Sequence, residues 1–217
     1  MTQIFSPNDL ANISRCAAFA ALSHKGQKRY VNHNGGGYVP YIVHPARVAT
    51  LVALYRGSPE AVMASWLHDV KEDCPDAKVA DFIESIPMPE ISKYAVYGYV
   101  IALTKDASIK DRMERLESHI DLITLWDEPV LIKICDRIDN LTVTEYEDNK
   151  KRIEGMDGDQ FVRMYVKESD YLLKNLLPYA SKHGYMEPWL VLKEIIEELK
   201  KNDVVAVPNH NTQGEQD

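Results

Sequence analysis

The chain has 217 residues, 45% of them hydrophobic, with ten Gly and eleven Pro, which excludes a disordered polymer and predicts one domain with a well-packed core. A formal charge of −8 repels phosphate backbones and argues against nucleic-acid binding, while no apolar run approaches the ~20 residues of a membrane helix and no basic-then-apolar leader follows Met1. Three scattered cysteines, Cys16, Cys74 and Cys135, stand outside any Cys-x-x-Cys pattern, which excludes a disulfide framework and a thiolate zinc site and predicts a soluble, cytoplasmic protein.

The periodicity is helical nearly throughout, and the predicted fold class is all-α, a single compact multi-helix bundle. Ser6-Pro7-Asn8-Asp9 is a capped start for a helix that carries Leu10, Ile13, Ala17, Phe19, Ala20 and Leu22 inward and ends near Gly26. The stretch from Tyr30 to Pro40 holds Asn32, Asn34, Gly35, Gly36 and Gly37, so a loop or short hairpin is expected near 30–41, with Tyr38 to Val43 able to pair as a strand. Helical pattern resumes after Pro45, again after Ser58, and from Val79 to Ile86. Further helices are predicted over Ile91–Thr104, Ile109–Trp126, Pro129–Tyr146, Asp159–Ala180 and Glu187–Lys201. The domain is expected to span 1–201, followed by a polar, disordered tail over 202–217.

Chemistry concentrates in His68-Asp69-Val70-Lys71-Glu72-Asp73. One helical turn separates His68 from Glu72 and Asp69 from Asp73, so one turn can hold both a cation and a base. Ionisable groups at the end of an apolar helix are costly unless compensated, and a divalent metal is one compensator. His44 in Tyr41-Ile42-Val43-His44-Pro45 and Asp136 after the apolar run Leu131 to Cys135 add a second imidazole and a second carboxylate. Each of them taken singly also fits a satisfied core residue. Two imidazoles and two carboxylates on separate helices suit Mn²⁺, Fe²⁺ or Mg²⁺ better than structural zinc, and such an ion activates water and polarises a phosphoryl oxygen.

These motifs resemble the HD superfamily of metal-dependent phosphohydrolases, and within it the hydrolase domain of the RelA/SpoT family. The resemblance runs through His24-x-Gly26-Gln27-x-Arg29, Pro40-Tyr41-Ile42-Val43-His44-Pro45, Leu67-His68-Asp69-x-x-Glu72-Asp73, Leu103-Thr104-Lys105 and Lys133-x-x-Asp136-Arg137-x-x-Asn140-Leu141. It covers about residues 15–180 in order and spacing. It implies an HD-domain bundle and a Mn²⁺-dependent removal of the 3′-pyrophosphate of (p)ppGpp to give GDP or GTP, with Fe²⁺, Mg²⁺ or another divalent ion as alternatives. His44, His68, Asp69 and Asp136 are then the metal ligands, and Glu72 and Asp73 activate the water. Arg29 is expected against the nucleobase, with Tyr41 nearby, Asn140 near the nucleoside, and Lys28 and Lys105 at substrate phosphates. His24 is expected to be structural.

With about forty residues after the matched region, the expectation is a stand-alone hydrolase similar to the small alarmone hydrolases. Asp139 stands where the family commonly has His or Tyr, and Thr142 where a basic residue is often found. That charge change near the expected nucleotide pocket leaves adenine-type alarmones, the 2′-phosphate of NADPH and ordinary nucleoside phosphates open as substrates. A nucleotide-binding regulatory module without turnover is the alternative from another class.

Overall fold

The computed structural model describes residues 5–31, 37–143 and 158–205. The first helix, α1 (Pro7–Ser23), opens with a reciprocal cap in which Ser6 Oγ accepts from the Asp9 amide and the Asp9 carboxylate accepts from the Ser6 amide. Gly26, at φ +86°, turns the chain in a conformation that L side chains rarely adopt. Strands β1 (Lys28–Val31) and β2 (Gly37–Pro40) then pair antiparallel, with Arg29 opposite Val39. The strand pairing therefore takes in the basic residues Lys28 and Arg29, earlier than the sequence pattern indicated. Asn32 to Gly36, where the flexible loop was expected, lies outside the described residues.

Helix α2 (Val43–Leu54) starts before Pro45, so His44 sits in its first turn. Helix α3 (Pro59–Leu67) is capped by Ser58, whose hydroxyl accepts from the Ala61 amide. It stops at Leu67, and a separate turn, α4 (Val70–Asp73), follows. His68 Nδ1 lies 2.7 Å from the Ser65 carbonyl, the acceptor an uninterrupted helix would offer to the Asp69 amide. The helix predicted to carry His68, Asp69, Glu72 and Asp73 together is thus broken at His68 and Asp69, ahead of Glu72 and Asp73.

The remaining helices are α5 (Val79–Ser85), α6 (Glu90–Leu103), α7 (Arg112–Ile123), α8 (Asp127–Val143), α9 (Gly158–His183) and α10 (Met186–Val205). Each falls close to its predicted span. Helix α10 runs past Lys201, and residues 206–217, with most of the predicted tail, lie outside the described residues. Among the described residues no helix is long and apolar enough to cross a membrane.

Helix α8 is the axis of the bundle, packed against α2, α3, α6, α7, α9 and α10. Every residue from Val130 to Asp139 is buried. A helix enclosed on all sides needs apolar surface all round, and Val130, Leu131, Ile132, Ile134 and Ile138 supply it. Each fully buried Leu or Ile adds about 1.5–3 kcal/mol. The same enclosure buries Lys133, Asp136, Arg137 and Asp139, and each of these demands a partner.

Candidate metal centre

The centre forms where the first turn of α2, the α3–α4 turn and the second half of α8 meet. His44 and His68 face each other with their Nε2 atoms 3.3 Å apart. Asp69 Oδ2 lies 3.3 Å from His44 Nε2 and 3.1 Å from His68 Nε2. Asp136 Oδ1 lies 3.2 and 3.9 Å from the same two nitrogens. His44, His68 and Asp136 form a buried cluster whose ligand atoms all lie within 4.8 Å of one another.

The protons on the rings can be placed by their other nitrogens. A carbonyl only accepts, so His68 Nδ1 donates to Ser65; His44 Nδ1 donates to Asp139 Oδ2 at 2.7 Å. Both Nε2 atoms of the neutral rings are therefore bare lone pairs, aimed at each other and at two carboxylate oxygens. Two bare nitrogens converging on two anionic oxygens are repulsive, and a divalent cation fits the set of two nitrogens and two oxygens. Without one, a proton fills part of the role. Burial opposes the charge on His44, but Asp136, Asp139 and Asp69 outweigh it and hold its pKa at about 10. Burial likewise opposes ionisation of Asp69 and Asp136, yet His68 and His44 hold Asp69, and Lys133 and the two imidazoles hold Asp136, well below the usual carboxylate range.

Around these four side chains lies a ring of fixed partners. Asp136 Oδ2 accepts from Lys133 Nζ at 2.7 Å, and its Oδ1 accepts from Asn140 Nδ2 at 2.6 Å. Asn140 in turn accepts from Arg29 at 2.8 Å. Tyr41 donates to Asp69 Oδ2 at 2.6 Å. Asp139, 2% exposed, orients His44 and lies 3.9 Å from Arg29 and 4.0 Å from Arg47. Such carboxylate–imidazole contacts set the tautomer and raise the basicity of a ligating ring.

Glu72 and Asp73 flank the centre through α4. Glu72 pairs with Lys105 Nζ at 3.1 Å. Burial, then Asp69 and Glu72, push the Asp73 carboxyl up, toward the range of a general base. Burial opposes the charge on Lys105, but Glu72, Asp69 and Asp136 raise its pKa, so it stays charged. Gln27, whose Oε1 accepts from His24 Nδ1 at 2.8 Å, donates through Nε2 to the Asp73 carbonyl and ties the hairpin to α4. Of the residues singled out in the sequence, Arg29, Tyr41, His44, His68, Asp69, Asp136 and Asn140 thus form one connected network. Glu72, Asp73 and Lys105 adjoin it, and Lys28 is exposed on β1.

No family model matches the chain. A guanosine-3′,5′-bis(diphosphate) 3′-pyrophosphohydrolase of Aquifex aeolicus is 28% identical over 202 residues, 90% of this chain and 27% of the relative. A protein of the same name from Haemophilus influenzae is 30% identical over 141 residues, 60% of this chain and 18% of the relative. The bifunctional (p)ppGpp synthase/hydrolase SpoT of Escherichia coli is 27% identical over 164 residues, 70% of this chain and 21% of the relative. The chain therefore spans about a quarter or less of the length of these curated relatives. A solved structure of a metazoan SpoT ortholog shares the all-α fold, with a TM-score of 0.62, 24% identity, and coverage of 90% of this chain and 97% of that one. The chain is thus similar in sequence to these hydrolases and shares the fold of the SpoT ortholog.

Several residues take a place in the structure that the sequence did not indicate. Asp139, a charge expected near the nucleotide pocket, is buried and accepts from His44 Nδ1. Its signal was present, since it lies three residues from Asp136 and shares that face of α8. Asp136 is paired with Lys133, and the guanidinium of the adjacent Arg137 lies over the Tyr165 ring at 4.4 Å and donates to Ser169. Arg47, Arg112, Arg115 and Glu168 had no local signal. They reach the neighbourhood only through the packing of α2, α7 and α9.

Proposed function

We propose that this chain is a Mn²⁺-dependent hydrolase that removes the 3′-pyrophosphate of guanosine tetra- and pentaphosphate to give GDP and GTP, acting in the cytoplasm, where its three free, buried cysteines stay reduced. The observation that carries it is the convergence of two bare imidazole nitrogens, from His44 and His68, and two carboxylate oxygens, from Asp69 and Asp136, beside the carboxylates of Glu72 and Asp73. Relatives that bear the name of this reaction supply the substrate class. When bound, the ion supplies Lewis acidity for the phosphoryl oxygen and acidifies water.

The chain's own groups divide the remaining work. Water attacks the phosphorus attached to the ribose 3′-oxygen, the bond to that oxygen breaks, and pyrophosphate leaves. Glu72 and Asp73 take the proton from the water and return one to the 3′-oxygen. Glu72 is engaged with Lys105 at rest, so it must turn toward the water to act. Tyr41 steadies Asp69, and Asn140 steadies Asp136. Arg29, Tyr41, Asn140, Lys28 and Lys105 are the proposed nucleotide contacts; Arg29 is 2% exposed and meets a base only by exchanging its bond to Asn140.

The test is a Mn²⁺-supplemented assay of ppGpp, pppGpp, ppApp, NADPH and ordinary nucleoside phosphates with product identification. GDP with pyrophosphate from ppGpp is the expected result. Turnover confined to another nucleotide, or none at all, overturns the substrate.

A further inference from the structure

Beside the metal centre lies a cavity of about 220 Å³ lined by Glu72, Lys105, Arg112, Arg115, Arg137 and Glu168, with Leu116 as its apolar wall. Building on the function proposed above, we infer that this cavity receives the terminal phosphate of the scissile pyrophosphoryl group, with Arg115 and Arg137 as its ligands.

The charge balance comes first. Four cationic side chains face two carboxylates, and both carboxylates are engaged: Glu72 with Lys105, and Glu168 with the Nε and a terminal nitrogen of Arg112. Among the described residues neither Arg115 nor Arg137 is paired with a carboxylate. Arg137 is 4% exposed and lies over the Tyr165 ring, but a charge that deep without a carboxylate partner among the described residues is expensive. The hydrogen bonding repeats the imbalance. Arg137 donates to Ser169 Oγ and Arg115 to the Lys110 carbonyl, yet the buried Nε of each has no partner among the described residues. Guanidinium groups that line a cavity without a carboxylate partner match the oxygens of a phosphoryl group.

Size and position narrow the ligand. The volume is below the roughly 300–1,000 Å³ of ordinary small-molecule pockets, which suits a phosphoryl group and leaves no room for a nucleoside. Arg137 follows Asp136 directly on α8, and the charge of Lys105 is felt by Asp69 and Asp136. A pyrophosphoryl group with one phosphorus at the metal centre therefore places its second phosphate here. Lys105 stands at the junction. A phosphate entering the cavity competes for it and frees Glu72, which couples recognition of the second phosphate to release of the base. A single 3′-phosphate cannot make this exchange.

The experiment uses the full chain, stripped of metal with a chelator, and titrates inorganic pyrophosphate by calorimetry at low salt. Wild type and the His68→Ala/Asp69→Ala variant are expected to bind it alike, whereas Arg115→Ala weakens binding tenfold or more and Arg115→Lys restores part of it. Arg137→Gln serves as a second variant where circular dichroism shows it folded. With metal present, Arg115→Ala should raise KM tenfold or more for a 3′-pyrophosphorylated nucleotide and leave that of the 3′-monophosphate unchanged. No pyrophosphate binding by metal-free wild type, or equal binding by Arg115→Ala, overturns the cavity assignment even if ppGpp is hydrolysed. Loss of pyrophosphate binding in Arg115→Ala supports it even if ppGpp proves not to be the substrate.

Discussion

Helix α8 runs between two cavities that invite opposite conclusions. Near its start, Ser58, Glu60, Tyr99, Trp126, Glu128 and Tyr185 line a space of about 510 Å³, more than twice the 220 Å³ beside Arg115 and Arg137. Each end of the helix also holds a secluded carboxylate. Glu128 accepts from the Ser58 amide at 3.0 and 3.2 Å and from the Ser58 hydroxyl at 2.6 Å, so its lone pairs meet donors and it anchors the start of α3. Asp136 also has two donors, but its Oδ1 faces bare imidazole nitrogens as well. The larger cavity is a satisfied surface. The smaller one adjoins groups that need a cation on one side and an anion on the other. Unsatisfied polar atoms, rather than volume, distinguish a site from a gap in packing.

Variants at the two ends should separate these roles. The largest effect is expected from His68→Ala/Asp69→Ala, which should abolish Mn²⁺-dependent phosphate release; unchanged turnover would remove the metal centre from the chemistry. Glu72→Gln should keep the ion, measured by metal analysis after gel filtration, and lower kcat about 10²–10⁴-fold. Loss of the ion instead would make Glu72 a ligand. Asp139→Ala should weaken divalent-metal affinity about 10–100-fold, because His44 loses the group that orients it. At the other end of α8, Glu128→Ala should leave kcat unchanged and lower unfolding stability in urea by about 1–3 kcal/mol, since the Ser58 donors lose their acceptor.

The Glu128 contrast extends to pH. Burial raises the Glu128 pKa above its ordinary 4.5. A group shifted upward stabilises the fold most below its unfolded pKa and loses that contribution as pH rises through its folded one. Relative to Glu128→Gln, which does not titrate, wild type should therefore gain stability as the pH falls from 7 toward 4. A constant difference across that range would show that Glu128 is not held in the secluded environment described here.

Much of the fold was legible because its signals are local. The Ser6 and Ser58 caps, each followed by Pro, and the apolar run before Asp136 fix helices whose partners lie within a few residues. The hairpin was harder to read, since the pairing of Lys28 and Arg29 with Val39 and Pro40 spans the Asn/Gly-rich segment between them. The break at His68 was also hidden. It depends on an imidazole taking the Ser65 carbonyl, and that choice depends on where the ring must point.

The sequence by itself determined the element order and the residue types that make a mixed nitrogen and oxygen site, because periodicity, caps and motif spacing are properties of neighbours along the chain. Only the tertiary structure decided what each charged residue does. Asp139 became the support of His44, and Arg29 was drawn under the hairpin to Asn140. Arg115 and Arg137 were left lining a cavity without a carboxylate partner among the described residues. Those outcomes are set by which side chains from distant helices arrive within hydrogen-bonding distance, and burial makes each pairing or missing partner count.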